Sequence, residues 1–212
     1  MDIEAIRRGA ETPQIADAAG AQAAAVDLTA AFVADPLFDW FTRTDGRRQE
    51  ARLGFFQHLM RELIVGTGQV MRPAAGGAAA VWMPSETLGP NPLIKEAQAL
   101  PMLLRLTGWG RFPRLLQLRE VMDKHHPMDR PHDYLWFLGV TPEAQGHGVG
   151  SRLLKSRTDH LDATGRPAFL ETATEANVRL YTRHGFKVIA EYRPGADGPN
   201  NWAMWRDPQP QE

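Results

Sequence analysis

The sequence predicts a single α/β domain, and three observations carry that expectation. The chain has 212 residues, 43% hydrophobic and 23% charged, the range of one globular domain with a sizeable core. Segments patterned as strands recur between segments at helical spacing. An almost continuous apolar run, "YLWFLGV" from Tyr134 to Val140, leads through a glycine-rich turn into a helical pattern, as a strand buried on both faces would.

The first twelve residues mix Arg7 and Arg8 with Asp2, Glu4 and Glu11 around no apolar core, and read as a flexible tail rather than a signal or transit peptide. From Ala18 an alanine-rich segment ending in "AAFVADPLFDWF" reads as a helix closed by Pro36. Arg47 to Val65 reads as a second, with Phe55, Phe56, Leu59 and Leu63 on one side. "GQVMRP" and "AAAVWMP" read as two strands joined at Gly76-Gly77. Between Leu93 and His125, leucine and methionine recur at helical spacing broken by Pro101, Gly108 and Pro113, which gives two or three short helices. Tyr134 to Val140 is the buried strand, with Gly139 marking a bulge. In the next helix, Gly148 to Thr164, Val149, Leu153, Leu154 and Leu161 share one face while Arg152, Lys155, Asp159 and His160 share the other. The strand "AFLE", a helix from Glu175 to His184 stopped by Gly185, and the strands "FKVIAEY" and "NWAMWR" complete the domain, 1–212.

With 24 Lys+Arg against 25 Asp+Glu and no block of like charge, the chain offers neither a nucleic-acid groove nor a polybasic membrane patch. The longest uncharged stretch, Pro73 to Ser85, is too short and too rich in Gly and Ala to span a bilayer. The absence of cysteine excludes disulfides, thiolate zinc sites and Cys nucleophiles. A soluble, cytoplasmic protein with a small partner is expected, as a monomer or homodimer.

Gly146, Gly148 and Gly150 stand at alternating positions between the buried strand and a helix start. The first N–H groups of a helix lack internal partners and carry partial positive charge, so such a turn is an anion site, and glycine lets the backbone approach a bulky diphosphate. A P-loop needs a lysine after the last glycine, where Ser151 and Arg152 stand. A dinucleotide fingerprint needs a third glycine where Ser151 stands, and "TPEAQ" separates the strand from the first glycine. Gln145-Gly146-His147-Gly148-Val149-Gly150 matches Q/R-x-x-G-x-G/A, and the resemblance this motif carries implies coenzyme A, with a dinucleotide and a tight turn that binds nothing as the alternatives.

Together with the downstream block "AFLETATEANVRLYTRHGF", this motif resembles the acyl-CoA-dependent N-acetyltransferase superfamily, GNAT. The resemblance narrows to the puromycin N-acetyltransferase-like group through "FLGVTPEAQGHGVGSRLL", "GRPAFLET", "YTRHGF" and "GPNNWAMWRDP", between Tyr134 and Pro208. "AAFVADPLFDWF" and "AAAVWMPSE" resemble its N-terminal half more loosely. It implies a mixed, mostly antiparallel central sheet flanked by helices and splayed between the two central strands, with the pantetheine arm of acetyl-CoA in the gap. It also implies that Leu138, Gly139 and Val140 line that arm, and that N–H groups near Gly139 and Val140 polarise the thioester carbonyl. By the same resemblance Gln145, Gly146, His147, Gly148, Val149, Gly150 and Ser151 surround the diphosphate, Asn177 bonds the pantetheine region, and Tyr181 is the general acid.

The implied activity is direct attack of a small-molecule amine on the acetyl thioester in a ternary complex, with acetyl-CoA as co-substrate and no metal. A phenol with a pKa of about 10 is protonated at neutral pH and suits the acid's role. An alkyl amine with a pKa of about 10.4 must first lose a proton, so a base or water chain is needed. Glu171, at its strand end, stands with Tyr181 as a candidate catalytic residue, and Glu143 and His132 remain alternatives. "HHPMDRPHD", His125 to Asp133, lacks the regular spacing of a metal site. Phe38, Trp40 and Trp109 are expected to form an apolar wall for an aryl-bearing acceptor, such as an antibiotic. A protein N-acetyltransferase and a non-catalytic acyl-CoA sensor are the alternatives.

Overall fold

A computed structural model describes residues 1–65, 68–88 and 93–209. Its strands are β1 (Gln14–Ile15), β2 (Gln69–Arg72), β3 (Ala78–Pro84), β4 (Asp133–Val140), β5 (Ala168–Thr172), β6 (Lys187–Tyr192) and β7 (Asn201–Arg206). They form one sheet in the order β1-β2-β3-β4-β5-β7-β6, parallel only between β4 and β5. The helices are α1 (Ile3–Glu11), α2 (Ala18–Ala31), α3 (Pro36–Phe41), α4 (Arg48–Val65), α5 (Leu93–Thr107), α6 (Phe112–His125), α7 (Val149–Ala163) and α8 (Glu175–Arg183). Alternation along β3 sends Ala79 and Val81 into a core shared with α2, α3 and α4, and Ala80 and Trp82 into one shared with α7 and α8. The expected mixed, mostly antiparallel sheet flanked by helices is therefore present. No helix among the described residues is long and apolar enough to cross a membrane.

Local chemistry sets the joints. Asp17 caps α2 by accepting from the Gly20 N–H at 2.8 Å, and Thr174 caps α8 through Asn177 N–H. The β2–β3 hairpin turns through Gly76 and Gly77, both at φ +77°, where a side chain would be strained.

Three readings change. The first residues are not a tail. α1 is capped by Asp2 and buries Ile6 and Ala10 completely against Val149 and Leu153 of α7, an apolar face too narrow to stand out among its charges. Pro36 starts a helix instead of ending one: α2 stops at Ala31, Asp35 accepts from the Phe38 N–H at 2.9 Å, and proline takes the first-turn position where no N–H is needed. The β4 bulge is at Trp136, not Gly139. Val81 pairs with Phe137 and Trp82 with Leu135, leaving Trp136 as the extra residue, whose ring stacks on Phe137 at 5.4 Å. Gly139 keeps its register with Ala79 and is small for another reason, since a Cβ there would lie 2.8 Å from both Ala31 Cβ and Leu28 Cδ2 of α2.

If α1 is an integral part of the core, Ile6→Ala will cost about 2–4 kcal/mol in urea unfolding, the range for truncating a buried isoleucine. A disordered tail would leave the midpoint unmoved.

Candidate functional site

β4 and β5 pair only where Asp133, Tyr134 and Leu135 meet Ala168, Phe169 and Leu170. Beyond that point β4 continues to Val140 on β3 alone, and Glu171 and Thr172 continue on β7 alone. The Trp136 bulge at the parting point increases local twist and drives the strands apart. Unpaired N–H and C=O groups in the middle of a sheet are costly, so the opening suits an extended chain carrying amides of its own. Leu138, Gly139 and Val140 border it.

At the end of β4 a single turn, Pro142–Ala144, leads to Gln145, whose side-chain amide donates back to Val140 O at 3.0 Å. Gly146 and Gly148 follow at φ +78° and +74°, and Gly148 caps α7 in the left-handed conformation. No side chain caps that first turn, so the N–H groups of Val149, Gly150 and Ser151 stay open to an anion. Val149 is buried and anchors the turn to Ile6 and Leu153. The Ser151 hydroxyl is engaged by His184 Nε2 at 2.7 Å, leaving the backbone N–H as Ser151's offering. His147 is exposed, and its carbonyl accepts from Arg152 Nη1 at 3.4 Å. An uncapped helix start behind positive-φ glycines fits a diphosphate.

Glu171 and Tyr181 lie on opposite faces of the sheet. Alternation along β5 puts Glu171 on the face of Phe169, with Tyr134 and Tyr192. The Tyr134 hydroxyl donates to Glu171 Oε2 at 3.2 Å and the Tyr192 hydroxyl donates to Oε1. No guanidinium or ammonium joins them among the described residues, and burial raises the carboxyl pKa to about 7 against the lowering effect of the two phenols. Tyr181 packs on the other face with Leu135, Leu170 and Phe186. Burial first, and the Asp35 carboxylate second, push its phenol up, so it holds its proton throughout the neutral range.

The remaining candidates divide. His132 is fully buried and its Nδ1 meets Arg130 O at 3.0 Å, which makes Nδ1 the donor and turns the Nε2 lone pair to His126 Nε2 at 3.0 Å. With that lone pair occupied, His132 is not placed to take a proton from an amine. Glu143 is exposed on the turn before Gln145. Asn177 donates its backbone N–H to Thr174, which leaves its side-chain amide unneeded for the cap. Phe38 belongs to the core, stacked on Phe56 at 5.6 Å, rather than to a pocket wall. Trp40 is buried and its indole reaches Asp197 at 3.0 Å. Trp109 is 82% exposed in the turn between α5 and α6, where Gly108 at φ +65° swings it away from the sheet. Sequence reasoning passed over Tyr134, Tyr192 and Asp35. The Asp-Pro pair that marks a helix cap was a usable signal for Asp35, whereas which phenols face Glu171 follows from strand pairing that local pattern does not show. A cleft of about 910 Å³ between α4 and α5, edged by Arg47, Arg61 and Arg105, contains none of the candidate residues.

Residues 107–186 match the model of the acetyltransferase (GNAT) family. Over 69 residues the chain is 39% identical to a mycothiol acetyltransferase of Paenarthrobacter aurescens, and over 64 residues 38% identical to one of Propionibacterium freudenreichii. These matches cover 30% and 29% of this chain but 21% and 20% of the relatives, so the chain spans about a fifth of the length of the curated relatives it matches. A Corynebacterium glutamicum structure described as histone acetyltransferase HPA2 and related acetyltransferase superposes with a TM-score of 0.67 at 23% identity, over 94% of this chain and 97% of that one. A Drosophila melanogaster polyamine N-acetyltransferase gives 0.63 at 18% identity, over 92% and 98%. Arylalkylamine N-acetyltransferase 2 of Aedes aegypti gives 0.61 at 14%, over 93% and 98%. At these identities the likeness is one of fold.

The enclosure of Glu171 can be tested through stability alone. Its folded pKa of about 7 lies above the ordinary 4.5, so the folded state holds the proton more tightly. The stability this confers is complete below pH 4.5 and is lost as pH rises through 7. Glu171→Gln, which never ionises, is therefore expected to gain in Tm relative to the native protein from pH 5 to pH 7 and to level off above. A pH-independent difference in thermal melts would mean that the carboxylate is solvated.

Proposed function

We propose, resting on the match of residues 107–186 to the acetyltransferase (GNAT) family model, that the chain transfers the acetyl group of acetyl-CoA to the primary amine of a small molecule. The single observation that carries this reading is the placement of Glu171 and Tyr181 on the two sides of the point where β4 and β5 part. Acetyl-CoA supplies the activated acyl group. The backbone of Leu138, Gly139 and Val140 pairs with its pantetheine arm, and the N–H groups from Gly146 to Ser151 hold its diphosphate. An N–H near Gly139 or Val140, aimed at the thioester oxygen, stabilises the charge that develops there.

Glu171 takes one proton from the incoming ammonium; the freed amine forms the C–N bond at the thioester carbonyl, and its second proton leaves to solvent as the tetrahedral intermediate collapses and the C–S bond breaks. An ordinary carboxylate is too weak a base for an alkyl amine, and a pKa near 7 narrows that gap while keeping the group substantially ionised at neutral pH. Tyr134 and Tyr192 hold both carboxylate oxygens, fixing the direction of the remaining lone pairs. On the other face Tyr181 donates to the leaving sulfur. Burial raises the phenol, but a thiolate formed in the same apolar surroundings is raised as well, so the two remain matched. The acceptor enters on the Glu171 face, whose walls are Tyr134, Tyr192 and Trp136, not Phe38 and Trp109. Aromatic walls favour an aryl-bearing amine, in keeping with the resemblance to the puromycin N-acetyltransferase-like group.

Two kinetic outcomes follow from these roles. Tyr181→Phe is expected to lower kcat by about 10²-fold with little change in acetyl-CoA affinity, because the phenol acts after binding. Unchanged kcat with chemistry rate-limiting would reduce Tyr181 to a packing residue. In the native protein kcat/KM for an amine should fall as pH drops through about 7, following Glu171. That limb should disappear, with a rate loss of about 10²- to 10⁴-fold, in Glu171→Gln. A limb that survives the substitution belongs to another base.

A further inference from the structure

We propose that Trp40, Asp197 and Arg114 form a strap that restricts the acceptor to a small amine entering end-on and excludes a polypeptide. The proposal rests on the acetyl-transfer reading, because it concerns who reaches Glu171. Its basis is one carboxylate that joins three separate segments. Trp40 Nε1 of α3 donates to Asp197 Oδ1 at 3.0 Å, and Arg114 Nη2 of α6 donates to Asp197 Oδ2 at 2.5 Å. Arg114 Nη1 also donates to Trp40 O at 2.9 Å, and its guanidinium lies 5.3 Å from the Trp40 ring centroid. Asp197 sits in the loop 193–200 between β6 and β7. The backbone of that loop is pressed onto the same place, for a Cβ on Gly195 would lie 3.1 Å from Trp40 and 3.3 Å from Gln117. Arg111 fixes the end of α3 as well, its Nη1 donating to the carbonyls of Asp39, Trp40 and Thr42.

The same three segments border the approach to Glu171. Loop 193–200 begins directly after Tyr192, whose hydroxyl is on the carboxylate. Along α6, Arg114, Gln117, Val121 and His125 follow one another at helical spacing on one face. Arg114 meets Trp40, Gln117 meets Gly195, Val121 packs in the Tyr192 cluster, and the His125 ring stacks on Tyr192 at 4.3 Å. α3, capped by Asp35, packs its Phe38 into a core that Trp136 joins, and Trp136 also packs against the Tyr134–Tyr192 cluster. A peptide whose terminal amine reached Glu171 would have to lead its following residues out between α3 and the β6–β7 loop, where Asp197 binds one to the other. A small amine leaves nothing behind it to pass. The Asp197 side chain is 63% exposed, so the strap lies on the rim and its removal opens a surface groove rather than a core.

The test compares 2-phenylethylamine with a ten-residue peptide bearing a free amino terminus, both at saturating acetyl-CoA and read by thiol release. In Asp197→Ala and in Trp40→Phe, kcat/KM for the peptide divided by that for the amine should rise about tenfold or more. Asp197→Asn, which still accepts from the indole but loses the ion pair, should fall between. Amide hydrogen exchange of the ligand-free protein gives the second reading. Residues 193–200 and 36–41 should speed up together in Asp197→Ala. An unchanged ratio in folded variants, or faster exchange confined to 193–200, would overturn the strap. A failure of the transfer reading would look different, as no thiol release from the native protein with any amine, while the exchange result would still decide whether the two segments are tied.

Discussion

After Leu135 and Leu170 the two central strands stop exchanging hydrogen bonds, and the middle of the sheet is left with backbone groups that no neighbouring strand satisfies. The surrounding structure answers to that parting. The bulge at Trp136 supplies the twist that opens it, and Gly139 lets α2 press close behind β4 so that the strand stays straight on its β3 side. Below the gap, Asp133 is buried but compensated by Arg157 and Arg166, with Arg166 reaching on to Glu86. That cluster pins the first paired rung, Asp133–Ala168, at the end of the short ladder away from the parting.

Asp133 and Glu171, three residues apart in register across adjacent strands, show how environment assigns carboxylates different work. Asp133 faces two guanidiniums, the arrangement that keeps a buried charge tolerable. Glu171 has two phenols, which donate hydrogen bonds but carry no positive charge, and burial therefore prevails over them. A charge deficit in a well-packed place is expensive to the fold and is the usual mark of a reacting group.

Much of this was readable before any coordinates. The apolar run of β4, the glycine turn and the amphipathic α7 fixed the centre of the domain, since each depends on local pattern. The first reading failed where the decisive forces were not local. α1 shows only two fully buried residues among its charges, and its helix is worth forming because Val149 and Leu153 wait for it. The bulge could be suspected on β4 but not located, because its position follows from how two large rings pack and not from where a glycine stands. Trp109 illustrates the converse: an aromatic residue in a motif-poor segment looks like a pocket wall until the turn geometry around Gly108 sends it into solvent. Of the proposed site, the glycine turn and Tyr181 are candidates that the family resemblance names, and the phenols framing Glu171 required knowing which strand lies beside which.

The sheet also acts as a partition. With Glu171 on one face and Tyr181 on the other, the proton taken from an acceptor and the one given to the sulfur would, on the proposed roles, be different particles with different exits. On those roles neither group resets the other across a packed layer. Of the two protons an ammonium sheds in becoming an amide, one leaves through Glu171 to solvent on the Tyr192 side, and the second leaves the nitrogen as the tetrahedral intermediate collapses. Tyr181 recovers on the α8 side the proton it gave to sulfur, so that each turnover would release one proton net. On the proposed roles the two events would be coupled only through the solvent on either side of the sheet.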